Sequence, residues 1–544
     1  MKVSGNIVDV LNSKIFSGII EIENDRITSI TRDDKHYNTF IIPGFVDSHV
    51  HIESSMLVPS EFARLAVIYG TVATVSDPHE IANVLGIEGV RYMVENGKTV
   101  SFKFYFGAPS CVPATSFETA GASLSFAEVD NLLSHNEIKY LSEMMNFPGV
   151  LNDDQNVIKK IKVAKKYGKN IDGHAPGLRG KALEKYISAG ITTDHETFQF
   201  DEGEEKLSLG MNLLIREGSA AKNFDTLSPL ILKSPGQCMF CSDDKHPDDL
   251  VKEHINELLK RALRMDIDIM TALRCACVNP VIHYGLDVGL LRIGDYADFI
   301  EVDNFNRLNV LRTYINGKIV AENGKTLLPH LLSVPHLNKF KAEEKEVADF
   351  AVKATGSRMN VIEAIDGQVV TGRIQVTPRF SGDNVVSDIE RDILKLTVVN
   401  RYEDIKPAIG FIRNFGLKKG AIASSVAHDS HNIIVVATND KDLVKACNLV
   451  IKNKGGVAVV SAADRINSVL SLPIAGLMTD EDGYKVAQKY SKLDALAKKL
   501  GTRLKAPFMT LSFMALLVIP SLKMSDKGLF DGDNFKLTDL FEIG

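Results

Sequence analysis

His49 and His51 close the segment Asp47-Ser48-His49-Val50-His51, after the apolar run Thr39-Phe40-Ile41-Ile42-Pro43-Gly44-Phe45-Val46. On a strand, residues two apart project from one face, so the two imidazoles can grip one cation. A helix would need a spacing of four, as in HExxH. The pair alone is unspecific, but other ligand types accompany it. Glu143 ends the run Ile138-Lys139-Tyr140-Leu141-Ser142, and His174 ends Asn170-Ile171-Asp172-Gly173. His195 follows Ile191-Thr192-Thr193-Asp194, and Asp243 follows Cys238-Met239-Phe240-Cys241-Ser242. Each stands at the end of a strand-like run. His135, His254, His330 and His336 do not, and they read as solvated or structural.

Six such ligands exceed the needs of one metal, so the set reads as a site for two. Two neighbouring cations need a bridging anion, which Glu143 can supply, with a hydroxide as the second. Such a pair lowers the pKa of bound water from about 15.7 toward about 7. Asp243 can take the proton of the attacking water and pass it to the leaving group. Imidazole and carboxylate without thiolate suit Zn, Fe or Mn alike. His79 and Glu80 follow the second strand; they either touch substrate or a further metal, or cap the next helix. Arg216 and Glu217 end the seventh strand, where they read a substrate edge or form an ordinary ion pair. Asp194 and Glu196 flank His195, and one of them can orient its imidazole. Alternation does not decide between Asp243 and its neighbour Asp244, which then supports the site from behind. Far along the chain, His428, Asp429 and His431 read as a second metal or substrate site, or as a polar turn network at a domain interface.

The elements around these residues divide the 544-residue chain in three. Residues 43–290 alternate strand-like and amphipathic helical runs. The strands are predicted at 41–48, 70–76, 100–106, 138–144, 169–174, 190–194, 211–215 and 238–242. Eight such units over roughly 250 residues predict a (β/α)8 barrel, an α/β fold whose chemistry lies at the carboxyl ends of the strands. A doubly wound sheet is the rival, but no GxGxxG follows the first strand. Residues 1–42 read as short antiparallel strands, too few to bury a core alone. Residues 291–340 supply partners, such as Ala297-Asp298-Phe299-Ile300-Glu301-Val302. The two flanks together predict one composite β-domain. Pro329–Pro335 and the charged run Lys341–Lys345 read as a linker, and residues 341–544 as an α+β domain. Within that domain Phe508–Ile519 reads as core or as a subunit contact.

Composition narrows the function classes. Hydrophobic residues are 45% and charged residues 24%, which excludes disorder, collagen and coiled coil for the bulk of the chain. A net charge of −6 offers nucleic acid no broad basic face. No apolar stretch reaches about 18 residues, and the first residues lack the apolar core of a signal peptide, so no membrane role is expected. Six cysteines do not make a disulfide framework at this length. Cys238 and Cys241 form a CxxC, but Cys275 and Cys277 have the wrong spacing for a zinc ribbon. Free thiols in a reduced, cytoplasmic protein are the expectation.

The segment Pro43-Gly44-Phe45-Val46-Asp47-Ser48-His49-Val50-His51 resembles the opening signature of the amidohydrolase superfamily. Gly294-Asp295-Tyr296-Ala297-Asp298-Phe299 resembles the segment that returns the chain to the β-domain. Within the superfamily the chain resembles the bacterial adenine deaminases over nearly its whole length. The narrower likeness rests on His51-Ile52-Glu53-Ser54-Ser55, Ser76-Asp77-Pro78-His79-Glu80, Ser142-Glu143-Met144-Met145-Asn146 and Asp172-Gly173-His174-Ala175-Pro176. It continues through Arg216-Glu217-Gly218-Ser219, Asp243-Asp244-Lys245-His246-Pro247-Asp248-Asp249, His428-Asp429-Ser430-His431-Asn432 and Leu511-Ser512-Phe513-Met514-Ala515-Leu516.

The resemblance implies two divalent ions, Mn or Fe, with Zn also compatible. It implies Glu143 as the bridge where many relatives use a carbamylated lysine; Lys139, on the same strand face, is the alternative. It selects Asp243 over Asp244. The implied reaction, in purine salvage and adenine catabolism, converts adenine and water to hypoxanthine and ammonia. A hydroxide held by two metals attacks C6, N1 gains a proton, and the amine leaves with a proton from Asp243 or a neighbour. A free base needs no nucleic-acid groove, and the H-x-E and P-C-x-x-C signature of the zinc nucleobase deaminases is absent. A homodimer or larger homo-oligomer is implied as well. The alternative keeps fold and metals but acts on a cyclic amide or another aminated heterocycle. A catalytically dead scaffold would have lost ligands, and all six are present. For the C-terminal domain, a lid that excludes water from the barrel mouth is the expectation.

Overall fold

Strands covered on both faces need almost unbroken apolar or small-residue runs. In the computed structural model, which describes residues 1–332 and 336–542, those runs form the barrel wall. Strands β1 (Phe45–Val50), β2 (Thr71–Ser76), β3 (Lys103–Ala108), β4 (Ile138–Met144) and β5 (Ile171–Gly173) pair in parallel in that order. Strands β6 (Thr193–Asp194), β7 (Asn212–Arg216) and β8 (Cys238–Cys241) continue the curve. Two seams close it. Thr192 N donates to Ile171 O at 3.0 Å, joining β5 to the start of β6. Val50 pairs in parallel with Asp243, whose N donates to His49 O at 2.9 Å. Asp243 has φ 53°, in the left-handed region that Asp tolerates better than most residues. The last seam is thus made by a site residue itself.

Amphipathic helices cover the outside. Gln155–Lys166 buries Val157, Ile161 and Ala164 at helical spacing and is capped by Asp154, which accepts from Asn156 N and Val157 N. Phe126–Ser134 opens with a capping box of Ser125 and Glu128. The third strand, predicted at 100–106, runs later, over Lys103–Ala108. Val100 and Phe102 are buried in the turn before it, where apolar pattern and strand do not coincide.

The flanks meet in one eight-stranded sheet. Phe40–Pro43 lies between Lys2–Asp9, in parallel, and Phe299–Val302, antiparallel. The sheet therefore grips the chain immediately before β1. Gly44 makes the step into the barrel, and a Cβ there would meet Val72 Cγ1 at 2.4 Å.

A second eight-stranded sheet, from Met359–Glu363 to Ile466–Ser471, carries the helices Asp440–Lys452 and Gly483–Lys499. Its strand Ile393–Val399 is buried throughout. The apolar run Phe508–Ile519 contains the helix Pro507–Phe513, every residue of which is buried. Of the two expectations for that run, core holds and subunit contact does not. The domain docks on the barrel through Thr479, whose N donates to Met56 O at 2.9 Å. Arg64 pairs with Asp482 at 2.9 Å, and Tyr490 OH lies 2.6 Å from His246 Nδ1. Of the proposed linker, 333–335 lie outside the described residues, and 336–346, which includes its charged run, has no regular structure. Among the described residues no helix is long and apolar enough to cross a membrane, and all six thiols are buried and unpaired.

Because Val72 fills the space beside Gly44, Gly44→Ala is expected to destabilise the protein by about 1–3 kcal/mol through overpacking. Thermal melts would read this as a lower midpoint, and Val72→Ala in the same chain would recover part of the loss. An unchanged midpoint for Gly44→Ala would remove the packing argument.

Candidate metal centre

The carboxyl ends of β1, β4, β5, β6 and β8 bring six side chains to one buried point. His49 Nε2 and His51 Nε2 stand 3.1 Å apart, because both leave one face of β1. His51 Nδ1 lies 3.2 Å from Asp77 O, a contact that places its proton there and leaves Nε2 bare. Asp243 Oδ1 is 3.3 Å from His51 Nε2 and 3.7 Å from His49 Nε2. Glu143 then reaches both ways. Its Oε1 is 3.3 Å from His51 Nε2, while its Oε2 is 2.6 Å from His174 Nδ1 and 3.2 Å from His195 Nε2. The carboxylate thus stands between two nests, one of His49, His51 and Asp243, the other of His174 and His195.

The donors fit divalent cations. Ligands about 2.1 Å from a common ion lie about 3.0–3.5 Å from one another, and most of these spacings fall near that range. Three of the imidazoles keep a second buried nitrogen without a partner: His49 Nδ1, His174 Nε2 and His195 Nδ1. All donors are imidazole nitrogen or carboxylate oxygen, a set suited to Zn, Mn or Fe.

The electrostatics point the same way. Burial would raise the Glu143 carboxyl, but His195 and His174 outweigh it and hold it well below the usual range. Burial also opposes ionisation of Asp243, yet Arg216 and then His51 hold it well below. Burial would lower His51, but Asp243 and Glu143 lift it well above. His195 is raised to about 9, Glu143 overcoming its burial. With no other cation at hand, these carboxylates draw protons onto the imidazoles. A divalent ion supplies the same positive charge.

Neighbouring residues fix the ligands. Arg216 holds Glu196 with two bonds, at 2.5 and 2.9 Å, and Asp243 Oδ2 with a third at 2.6 Å. Asp47 accepts from Ser242 N at 2.9 Å and pairs with His254 Nε2 at 2.9 Å. His254, fully buried, is therefore structural, set between Asp47 of β1 and Thr71 of β2, whose Oγ1 lies 2.7 Å from its Nδ1. Asp194 accepts from Ala175 N at 2.7 Å and pairs with buried Lys206 at 3.0 Å, which ties the His174 and His195 loops together.

Some expectations need correction. Neither Asp194 nor Glu196 bonds the outer nitrogen of His195, since Lys206 and Arg216 engage them. Glu217 turns away from the site to Arg261 at 2.8 Å and Lys222 at 2.9 Å, as strand alternation after an inward Arg216 requires. Lys139 shares a face with Glu143 but lies a full strand length lower, half-buried and 4.0 Å from Asp287, so it cannot bridge. Asp244 does not join the His49 nest directly; its Oδ1 accepts from Ser54 Oγ at 2.5 Å and stands 3.3 Å from His428 Nε2. His79 Nδ1 lies 3.4 Å from Glu143 Oε1 and 3.3 Å from Asp77 Oδ2, so it borders the cluster. Glu80, after it, pairs with His428 at 2.9 Å and closely with His431. The loop 428–431 from the C-terminal domain therefore reaches the barrel mouth.

That domain also supplies what the sequence did not reveal. Val369, Phe513 and Leu516 form an apolar roof, with Met145 from the barrel, over a cavity of only about 30 Å³. The sequence marks Phe513, Leu516 and Met145 by apolarity and motif likeness but not as a roof, and Val369 not at all, because their partners lie hundreds of positions away.

Residues 40–320 match the amidohydrolase family, and residues 368–536 match the adenine deaminase C-terminal domain. The chain is 55% identical over 540 residues to an adenine deaminase of Sulfurovum sp. (strain NBC37-1), covering 99% of each chain. It is 52% identical over 553 residues to an adenine deaminase of Methanosarcina mazei, again covering 99% of each. Among solved structures, a beta-aspartyl dipeptidase from Fervidobacterium islandicum is 14% identical, with a TM-score of 0.46, covering 60% of this chain and 98% of that one.

Glu143→Gln keeps the shape of the shared group but removes its charge. It is expected to lower divalent metal bound per chain by about two equivalents, because ligands and metal charge must balance in a dry site. Elemental analysis of purified protein reads this directly. Retention of the wild-type metal content would remove Glu143 from the bridging position.

Proposed function

The chain belongs to the adenine deaminase family of the amidohydrolases, and on that premise we propose that it hydrolyses adenine to hypoxanthine and ammonia at a binuclear metal centre. The observation that carries the reading is the pairing of full-length identity to adenine deaminases with a buried cluster of matching donors. His49, His51, Glu143, Asp243, His174 and His195 would hold two divalent ions, Mn or Fe, with Zn compatible. Bound there, such ions supply Lewis acidity and a water acidified toward neutral pH.

The chain's own residues account for the rest. Asp243 is ionised, since Arg216 occupies its Oδ2 while Oδ1 faces the imidazoles. It is the base that takes a proton from the attacking water and returns one to the departing amine. Arg216, anchored by Glu196, keeps that carboxylate from turning. Val369, Phe513, Leu516 and Met145 offer a flat ring an apolar wall and exclude bulk water. A small flat base asks for the least enlargement of this narrow chamber. We place the reaction in purine salvage, in the cytoplasm, where six unpaired thiols stay reduced, and expect a homodimer or larger homo-oligomer.

The test is ammonia release by protein expressed with manganese, offered adenine, adenosine and a cyclic amide in parallel. Turnover of adenine alone is expected. Asp243→Asn should lower kcat by about 10²–10⁴-fold, the usual contribution of a positioned general base. No turnover of adenine by metal-loaded protein would discard the substrate and turn attention to the cyclic amide.

A further inference from the structure

Four side chains beside the main cluster, two from each domain, remain unexplained by that reaction. His79 and Glu80 follow β2, and His428 and Asp429 come from the C-terminal domain. All four are at least nine-tenths buried. His79 Nε2 faces two carboxylates, with Glu80 Oε1 at 3.5 Å and Asp429 Oδ1 at 3.7 Å. Glu80 Oε1 lies 2.9 Å from His428 Nε2. Neither His79 Nε2 nor Glu80 Oε1 has a hydrogen-bond partner, nor has Asp429 Oδ2. Buried polar atoms rarely stay unsatisfied, and each such group calls for a reason.

We propose that His79, Glu80, His428 and Asp429 form a further divalent-cation site, separate from the Glu143-centred cluster, that joins the C-terminal domain to the barrel mouth. The spacings of 2.9–3.7 Å suit ligands sharing one ion. Surrounding residues aim the donors. His431 Nδ1 accepts from Ala427 N at 3.1 Å, so its proton resides on Nε2 and goes to Glu80 Oε2. That bond leaves Glu80 Oε1 free and makes His431 a positioning residue rather than a ligand. Ser512 Oγ lies 2.6 Å from His428 Nδ1 and 3.3 Å from His428 N. That contact turns the Nε2 of His428 to the site, where Glu80 Oε1 lies at 2.9 Å and Asp244 Oδ1 at 3.3 Å. At His79, Nδ1 faces Asp77 at 3.3 Å and Glu143 at 3.4 Å without a hydrogen bond, and Nε2 is turned to Glu80 and Asp429. Imidazole with carboxylate selects Mn, Fe or Zn over Ca or Mg.

The rival account is protonated imidazoles in place of a metal, and metal counting separates the two. Protein expressed with added Mn²⁺ is crystallised, and anomalous scattering is recorded at the manganese edge. The proposal expects a peak enclosed by His79, Glu80, His428 and Asp429, in addition to those at the Glu143-centred cluster. Elemental analysis should find about three equivalents per chain, falling to about two in Asp429→Asn and in His428→Gln. No peak at this position in the wild-type map overturns the proposal, whatever the variants do. So does a metal count unchanged by both substitutions. The wild-type map needs no variant to fold, and it is independent of which substrate is turned over. Failure at the Glu143-centred cluster would instead count against the binuclear reading.

Discussion

The arrangement depends on one carboxylate. Glu143 reaches His51 through one oxygen and His174 and His195 through the other, so a single side chain from β4 relates donors from three other strands. Its charge is affordable in a dry interior only because positive charge stands on both sides. The same requirement explains the neighbours. Arg216 stands between Asp243 and Glu196, and Lys206 between Asp194 and Glu202, each trio buried. The barrel mouth is therefore a chain of compensated charges, and removing any member leaves another exposed to the full cost of burial.

The barrel and its flanks exist to hold these strand ends in register. The composite sheet grips the chain just before β1, so His49 and His51 start from a fixed point. At the far side Asp243 both closes the barrel by its backbone and contributes its carboxylate to the cluster. Fold closure and site assembly are thus one event at that residue. The C-terminal domain adds the missing face. Its helix Pro507–Phe513 and its loop 427–432 are internal to the molecule, and between them they cover the opening.

Much of this was legible in the sequence because a polar ligand after an apolar run is a conspicuous break in pattern. His49, Glu143, His174, His195 and Asp243 all announce themselves in that way. Strand periodicity specifies a face but not a height, which is why Lys139 looked equivalent to Glu143 and is not. It also specifies relative faces only once one residue is placed, so Arg216 and Glu217 could not be separated until the inward one was known. The role of His254 and the place of Val369 in the roof were illegible for another reason. Their meaning lies in partners such as Asp47, far away in the chain and brought close only by the fold. The likeness to a known family carried the reading where periodicity stopped, above all for the C-terminal loop.

The narrow cavity beneath Val369, Phe513 and Leu516 has a kinetic corollary. About 30 Å³ holds roughly two waters and no heterocycle. Admission of anything larger than water therefore requires the roof side chains to give way. Encounter with substrate is gated by the fraction of time the chamber stands ajar, not by diffusion alone. The roof belongs to the C-terminal domain, so the contacts that seat this domain on the barrel, at Thr479, Asp482 and Tyr490, bear on access to the chamber and not on the donors beneath it.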